Sequence, residues 1–347
     1  MRVLFVSLRY QDEASGGKVI SDRNFRLLEN YFGEENVVKF INTQEYLDLN
    51  RKICPWAFVE YDVVRACNKY AIDTVFLDIS ALGLFSQSFY RRFRVMTFFH
   101  NVELDYVSAM ECKGNLKKWL RIRWTALREG AAANHSYKTI AINERTADRL
   151  EEVYGRRADH VLESSMEDRF ESRRFEGQNG EFLLFVGADF FGNTDGLFPF
   201  ITECMDCISI PLVVVGQGMD KYRDKFSRFS NVQFMGYVDD LSEYYSKAMA
   251  VVLPIISGSG MKTKTCEAFM YGKVVFGTDE AFCGYKYKES DDCILCNSNE
   301  DFIRKINDFA EKRKTFYSEK NRQLYLKYYS NKAAAKTFEK IMNSWVN

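Results

Sequence analysis

GSGMKTKTCEAFMYGKVVFGT, Gly258 to Thr278, decides how the rest of the chain is read. The runs on either side, AVVLPIIS and KVVFGT, read as strands, and the middle carries apolar residues at helical spacing. Strand, turn, helix, strand is the local grammar of an α/β sheet. Gly258 and Gly260 let backbone amides approach an anion, and the helix start offers unpaired N–H groups with roughly +0.5 charge from its dipole. Lys262 and Lys264 add cations, so phosphate is the natural guest. Glu267 lies three residues after Lys264 and shares its helix face. It reads as a surface charge or as an acceptor for ribose hydroxyls; taken alone, the surface charge is the simpler reading. GSGMKTKT also stands one residue from the P-loop G-x-x-x-x-G-K-[ST], but Thr263 occupies the place of the second glycine and its Cβ opposes the tight wrap.

Outward from this motif, short apolar runs alternate with helical patterns along the whole chain. The strand candidates are VLFVSL (Val3 to Leu8), NVVKFI, TVFLDIS, RVMTFFH and KTIAIN, then EFLLFVG, PLVVVG, VQFMG, AVVLPI and KVVFGT. Their lack of strict alternation predicts parallel strands covered on both faces. ESSMEDRFESRRFEGQNG, Glu163 to Gly180, is charged and poor in aliphatics and reads as an interdomain connection. At 347 residues two domains are expected, 1–165 and 166–320, with a last helix over 321–347 crossing back to the first. Ligands of such sheets bind at the carboxyl ends of the strands, so two facing domains make one cleft.

Lys+Arg and Asp+Glu both total 48, which removes the global charge argument for nucleic acid. VLFVSL is too short for a signal peptide's apolar core, and no run is long enough to span a membrane, so a cytoplasmic protein is expected. The two CxxC pairs, Cys204/Cys207 and Cys293/Cys296, are too far apart for a zinc ribbon and read as reduced structural thiols. KGNLKKWLRIRWTALR, Lys113 to Arg128, holds six basic residues and no acid, with Trp119 and Trp124 interleaved. It describes a solvated helix over a buried stripe, or a helix lying on an anionic membrane face.

GSGMKTK followed by EA, YGK and GT resembles the carboxyl-terminal signature of bacterial retaining glycosyltransferases of the GT-B fold, the family 4 group. NVQFMGYVDDLSEYYSKAMAVVLPI and LLFVGADFFGNTDG are similar to that family's second domain, and Gly16-Gly17 and FFHNVELDY match its first more loosely. The resemblance implies two Rossmann-like, doubly wound domains facing across a cleft. It also implies transfer of a sugar, of the hexosyltransferase type, from a nucleoside-diphosphate sugar with retention, as in capsule, exopolysaccharide or O-antigen synthesis. The acceptor would be a saccharide or a lipid-linked saccharide, and a peripheral membrane contact through Lys113–Arg128 would suit the latter. On this resemblance Gly16, Gly17, Gly258, Ser259, Gly260, Met261 and Lys262 surround the donor with Asn193. Lys264 neutralises the diphosphate, Glu267 binds the ribose, and His100 faces the sugar. Asn101 and Glu103 are weaker candidates for the acceptor or sugar.

Departures from the family pattern are visible. The earlier glutamate of many relatives, seven residues before the second, is replaced here by Gly260, and GADFFGNTDG lacks their Arg…Lys pair. His100 ends an apolar strand, where a histidine is often structural, and Glu103 and Asp105 are equally suited to capping the following helix. No metal-binding DxD stands at a site, Asp239-Asp240 reading as loop, so no metal or other cofactor is expected beside the nucleotide sugar. A nucleotide-sugar epimerase of the same fold, or a catalytically silent binding subunit, remain as alternatives.

Overall fold

The computed structural model describes residues 1–8, 16–42, 57–82, 85–109, 115–172, 180–257, 260–290, 292–312 and 316–346. The chain divides into two compact units, Met1–Ser164 with Ala334–Asn347, and Ser165–Ala333.

The first unit runs β1 (Val3–Leu8), α1 (Gly16–Phe32), β2 (Val37–Asn42), α2 (Ala57–Tyr70), β3 (Thr74–Leu77), α3 (Gln87–Arg92), β4 (Arg94–Phe99), α4 (Glu103–Ala109), α5 (Asn115–His135), β5 (Lys138–Ala141), α6 (Glu144–Tyr154) and β6 (His160–Val161). Its sheet has the order β2-β1-β3-β4-β5-β6 and every pair is parallel. All four residues of β3 and five of the six of β4 are buried, as a sheet covered on both faces requires.

The second unit runs β7 (Phe182–Val186), α7 (Phe191–Cys204), β8 (Leu212–Val215), β9 (Val232–Met235), α8 (Ser242–Lys247), β10 (Ala248–Leu253), α9 (Thr263–Met270), β11 (Val275–Gly277), β12 (Cys293–Leu295), α10 (Asn299–Lys312) and α11 (Glu319–Leu324). Its sheet has the order β12-β11-β10-β7-β8-β9, again wholly parallel. Strand order reverses between β7 and β10 here and between β1 and β3 in the first unit, and such reversals open a crevice at the strands' carboxyl ends.

The apolar runs overshoot the strands where polar residues turn out of the ladder: pairing stops at Leu77 before Asp78, at Phe99 before His100 and at Ala141 before Asn143. Asn143 instead caps α6, accepting from the Thr146 amide at 2.7 Å. The single helix expected over 321–347 is broken. A π turn over Tyr325–Tyr329 follows α11, and Ser330 is extended, bridging to Met166 and accepting from the Ala333 amide at 3.2 Å. It thereby starts α12 (Asn331–Val346), whose later part packs on α1 through Tyr31 and Phe338. Among the described residues no helix is long and apolar enough to cross a membrane.

Candidate functional site

In the second unit β10 delivers the chain to α9 at the point where strand order reverses. Gly258 and Ser259 lie outside the described residues. Gly260 has φ 71°, the left-handed region that a Cβ makes costly, and Met261 is buried behind it. Lys262 holds the N-cap position but gives α9 no side-chain cap. Its ammonium reaches the Glu280 carboxylate at 2.7 Å and the Gly260 carbonyl at 3.0 Å, so much of its charge is already answered. The first-turn amides of Thr263 and Lys264 have no acceptor within the helix.

Lys264 is differently placed. Its ammonium donates to Asn193 Oδ1 and lies 5.1 Å from the centroid of the Phe185 ring. Its surface keeps some access to water, yet protein surrounds it, and this burial, helped by Lys262 and opposed by Glu267, lowers its pKa to about 7. Asn193, in the first turn of α7, is held in turn by its own amide bond to the Ala188 carbonyl at 2.8 Å. The helix comes this close because of Gly196: a Cβ there would stand 1.7 Å from the Pro254 carbonyl oxygen that follows β10.

One turn after Lys264, Glu267 accepts from the Tyr245 hydroxyl at 2.9 Å. Tyr245 is fully buried and stacks on Tyr271 at 4.4 Å. Burial raises the Glu267 pKa, while the Tyr245 bond, Arg169 and Lys264 pull it back. Cys266, Phe269 and Met270 pack the helix down from its other side. The result is a half-buried cation and a half-buried carboxylate on one helix face, each with one fixed neutral partner and further capacity for hydrogen bonds.

The first unit assembles a second cluster at its own strand ends. Asp78, immediately after β3, is fully buried and accepts from Asn24 at 2.7 Å and Ser7 at 3.0 Å. Gly16 and Gly17 open α1, the helix that supplies Asn24 and Ser21. His100, just after β4, stacks edge-on to Phe98, and its buried Nε2 has no hydrogen bond while lying 3.7 Å from Asp78 Oδ1. Asn101 follows, half-buried. Glu103 is buried at the start of α4, where burial and then Glu129 raise its pKa to about 7 against the pull of His100, Arg128 and Arg121. Asp105 leaves the cluster for a two-bond pair with Arg149 at 2.9 Å.

Asp78, Glu129 and Tyr245 escaped the reading of the sequence. The signal for Asp78 was a carboxylate inside an otherwise apolar TVFLDIS. For Glu129 it was the lone acid of a basic helix. Of the two CxxC pairs, Cys204, Cys293 and Cys296 are buried, which pushes their thiol pKa values up to about 12, whereas Cys207 is exposed.

Residues 180–312 match the family Glycosyl transferases group 1. This segment belongs to that family. The matched segment contains Asn193, Lys262, Lys264 and Glu267, so the cation–carboxylate pair of α9 lies inside the glycosyltransferase domain. Over the whole chain the fold is GT-B, shared with solved glycosyltransferase structures. Anabaena HepE in complex with UDP is 13% identical with TM-score 0.68, covering 99% of this chain and 100% of that one. The lipopolysaccharide outer core galactosyltransferase WaaB, in its apo form, is 14% identical with TM-score 0.69 and covers 99% of both chains. A glycosyltransferase from Rickettsia africae ESF-5 is 14% identical with TM-score 0.69, covering 100% of this chain and 98% of that one. No curated protein sequence matches the chain.

Proposed function

We propose that the protein is a retaining glycosyltransferase that moves a sugar from a nucleoside-diphosphate sugar to the hydroxyl of a saccharide or lipid-linked saccharide. The observation that carries this is Lys264, an ammonium held by Asn193 at the start of α9 with Glu267 one turn on. As the glycosidic bond stretches, the leaving diphosphate gathers charge, and a cation and helix-start amides already in place oppose it without reorganising. In this reading Glu267 accepts from ribose hydroxyls, and His100 of the first unit faces the sugar. Gly16 and Gly17 offer amides at the start of α1. The complexes of HepE with UDP and with UDP-glucose support a nucleotide sugar as the donor class. No metal is assigned a step.

The exposed face of α5 supports a bilayer as the place where the acceptor is met. Lys113 and Gly114 lie outside the described residues, but Leu116, Trp119, Leu120, Trp124 and Leu127 are each 38% to 70% exposed. Their three- and four-residue spacing puts them on one side of the helix. Arg123 lies among them, over the Trp119 ring at 5.6 Å, and the only acid of α5, Glu129, is buried on the other side. Apolar anchors with a cation among them suit an anionic lipid surface.

The deciding experiment is transfer from UDP-, GDP- and CDP-sugars with product analysis by NMR, run with and without acceptor. An α-linked donor giving an α-linked product supports the reading. Isomerised donor without acceptor would replace it with an epimerase, and donor binding without turnover would replace it with a silent subunit.

A further inference from the structure

Glu129 is fully buried on α5, facing away from the apolar stripe, and its carboxylate accepts four hydrogen bonds. They come from the Glu103 amide at 2.8 Å, the Leu104 amide at 3.0 Å, the Ser80 hydroxyl at 3.0 Å and the Tyr154 hydroxyl at 2.8 Å. Taking a carboxylate out of water costs several kcal/mol unless donors replace the lost hydration. Here the donors belong to three segments that are remote in sequence. Burial raises the carboxyl pKa, and each of these four bonds works against that rise by favouring the charged form.

The division of donors between the two oxygens matters. Oε1 takes both Ser80, two residues after Asp78, and the Glu103 amide, three residues after His100. Oε2 takes Leu104 and Tyr154. One oxygen atom thus ties the turn that follows β3 to the turn that follows β4. These are the two turns that carry Asp78 and His100, whose side chains stand 3.7 Å apart. A cap for α4 alone would need only the two amides; the Ser80 bond adds the second turn.

We propose that Glu129 is a positioning residue that sets His100 against Asp78 by clamping the β3 and β4 turns together. The inference rests on the reading of His100 as the group that faces the sugar. Displacing a reacting group by an ångström costs roughly 10² in rate.

Glu129→Gln keeps the shape while one oxygen becomes a donor, and Tyr154→Phe removes a bond from Oε2 alone. The chain holds three histidines, His100, His135 and His160, so imidazole NMR signals resolve His100 directly. Glu129→Gln is expected to move the His100 signals while those of His160 stay in place. It should also lower kcat about 10²-fold with the donor KM nearly unchanged. Tyr154→Phe is expected to lower the melting temperature and leave the His100 signals where they were. A folded Glu129→Gln with wild-type His100 signals and kcat overturns the proposal. So does a kcat loss that Tyr154→Phe reproduces at equal loss of melting temperature. Should Glu129→Gln not fold, Ser80→Ala removes only the β3 side of the clamp. It is expected to shift His100 and lower kcat about tenfold, and unchanged His100 signals would overturn the proposal. If the wild-type protein transfers no sugar, the glycosyltransferase reading fails, while the His100 signals still decide the clamp.

Discussion

Lys264 donates its ammonium to Oδ1 of Asn193 across 71 positions of the chain. The bond joins the first turns of α9 and α7, the helices that follow the neighbouring strands β10 and β7. A half-buried ammonium with one neutral hydrogen-bond partner is under-solvated, and an oxyanion arriving at the α9 amides would supply what is missing.

Lys264→Met is therefore expected to separate binding from stability. Nucleotide-sugar affinity should collapse and turnover fall about 10²–10³-fold. Stability should instead rise by about 0.5–2 kcal/mol, because a desolvated charge is removed. The folded-state pKa lies below that of a free lysine, so the folded state binds fewer protons between about 7 and 10.5. The gain is thus largest below pH 7 and fades as pH rises through that window. Melting temperatures of both proteins at pH 6 and pH 10 check the sign.

Donor binding should weaken with rising pH. The diphosphate of a nucleotide sugar does not titrate near neutrality, whereas Lys264 loses its proton above about 7. Affinity is expected to fall by up to about tenfold per pH unit above that point, and binding at pH 8 should take up a proton. Calorimetry in buffers of different ionisation heat measures the uptake, and Lys264→Met should abolish both effects.

Glu267→Ala should weaken a nucleoside diphosphate by about 10–100-fold and leave inorganic pyrophosphate unaffected. Tyr245→Phe, which removes one bond to the same carboxylate, should give a smaller loss in the same direction. Equal losses for nucleotide and pyrophosphate would remove the ribose role.

Gly196→Ala tests how α7 is seated. A Cβ 1.7 Å from the Pro254 carbonyl oxygen forces helix and strand end apart. A loss of about 1–3 kcal/mol is expected, with weaker donor binding because Asn193 moves with the helix. Chemical denaturation and donor titration measure the two together.

Replacing Trp119 and Leu120 with serine should release the protein from vesicles containing anionic lipid in a co-sedimentation assay, while leaving the melting temperature within about a degree, since exposed positions away from packing change stability little. Retained binding would exclude the α5 stripe as the membrane contact.

The alternation of strands and helices, the turn at Gly260 and the placing of Lys264 and Glu267 on one helix face were legible because each depends on residues close in sequence. Edge strands β6 and β12 were not, since two or three residues give no periodicity. Asp78 and Glu129 were hidden for a different reason. What marks a buried carboxylate as useful is its donors, and those of Asp78 come from Ser7 and Asn24, far along the chain. The sequence of α5 suits a buried stripe as well as a membrane-facing one. The burial of Thr125, Arg128 and Glu129 on the opposite side of the helix shows that the tryptophans face outward.

The first unit is discontinuous: Tyr31 of α1 meets Asn343 at 2.9 Å and stacks edge-on to Phe338 at 6.2 Å. During synthesis, then, the half of the protein made first cannot finish folding until residues near 340 emerge, whereas Ser165–Ala333 has its whole sequence available earlier. The usual order of amino-terminal domain first is inverted for the final packing step. Nascent chains stalled short of that point would leave the waiting face of α1 to chaperones.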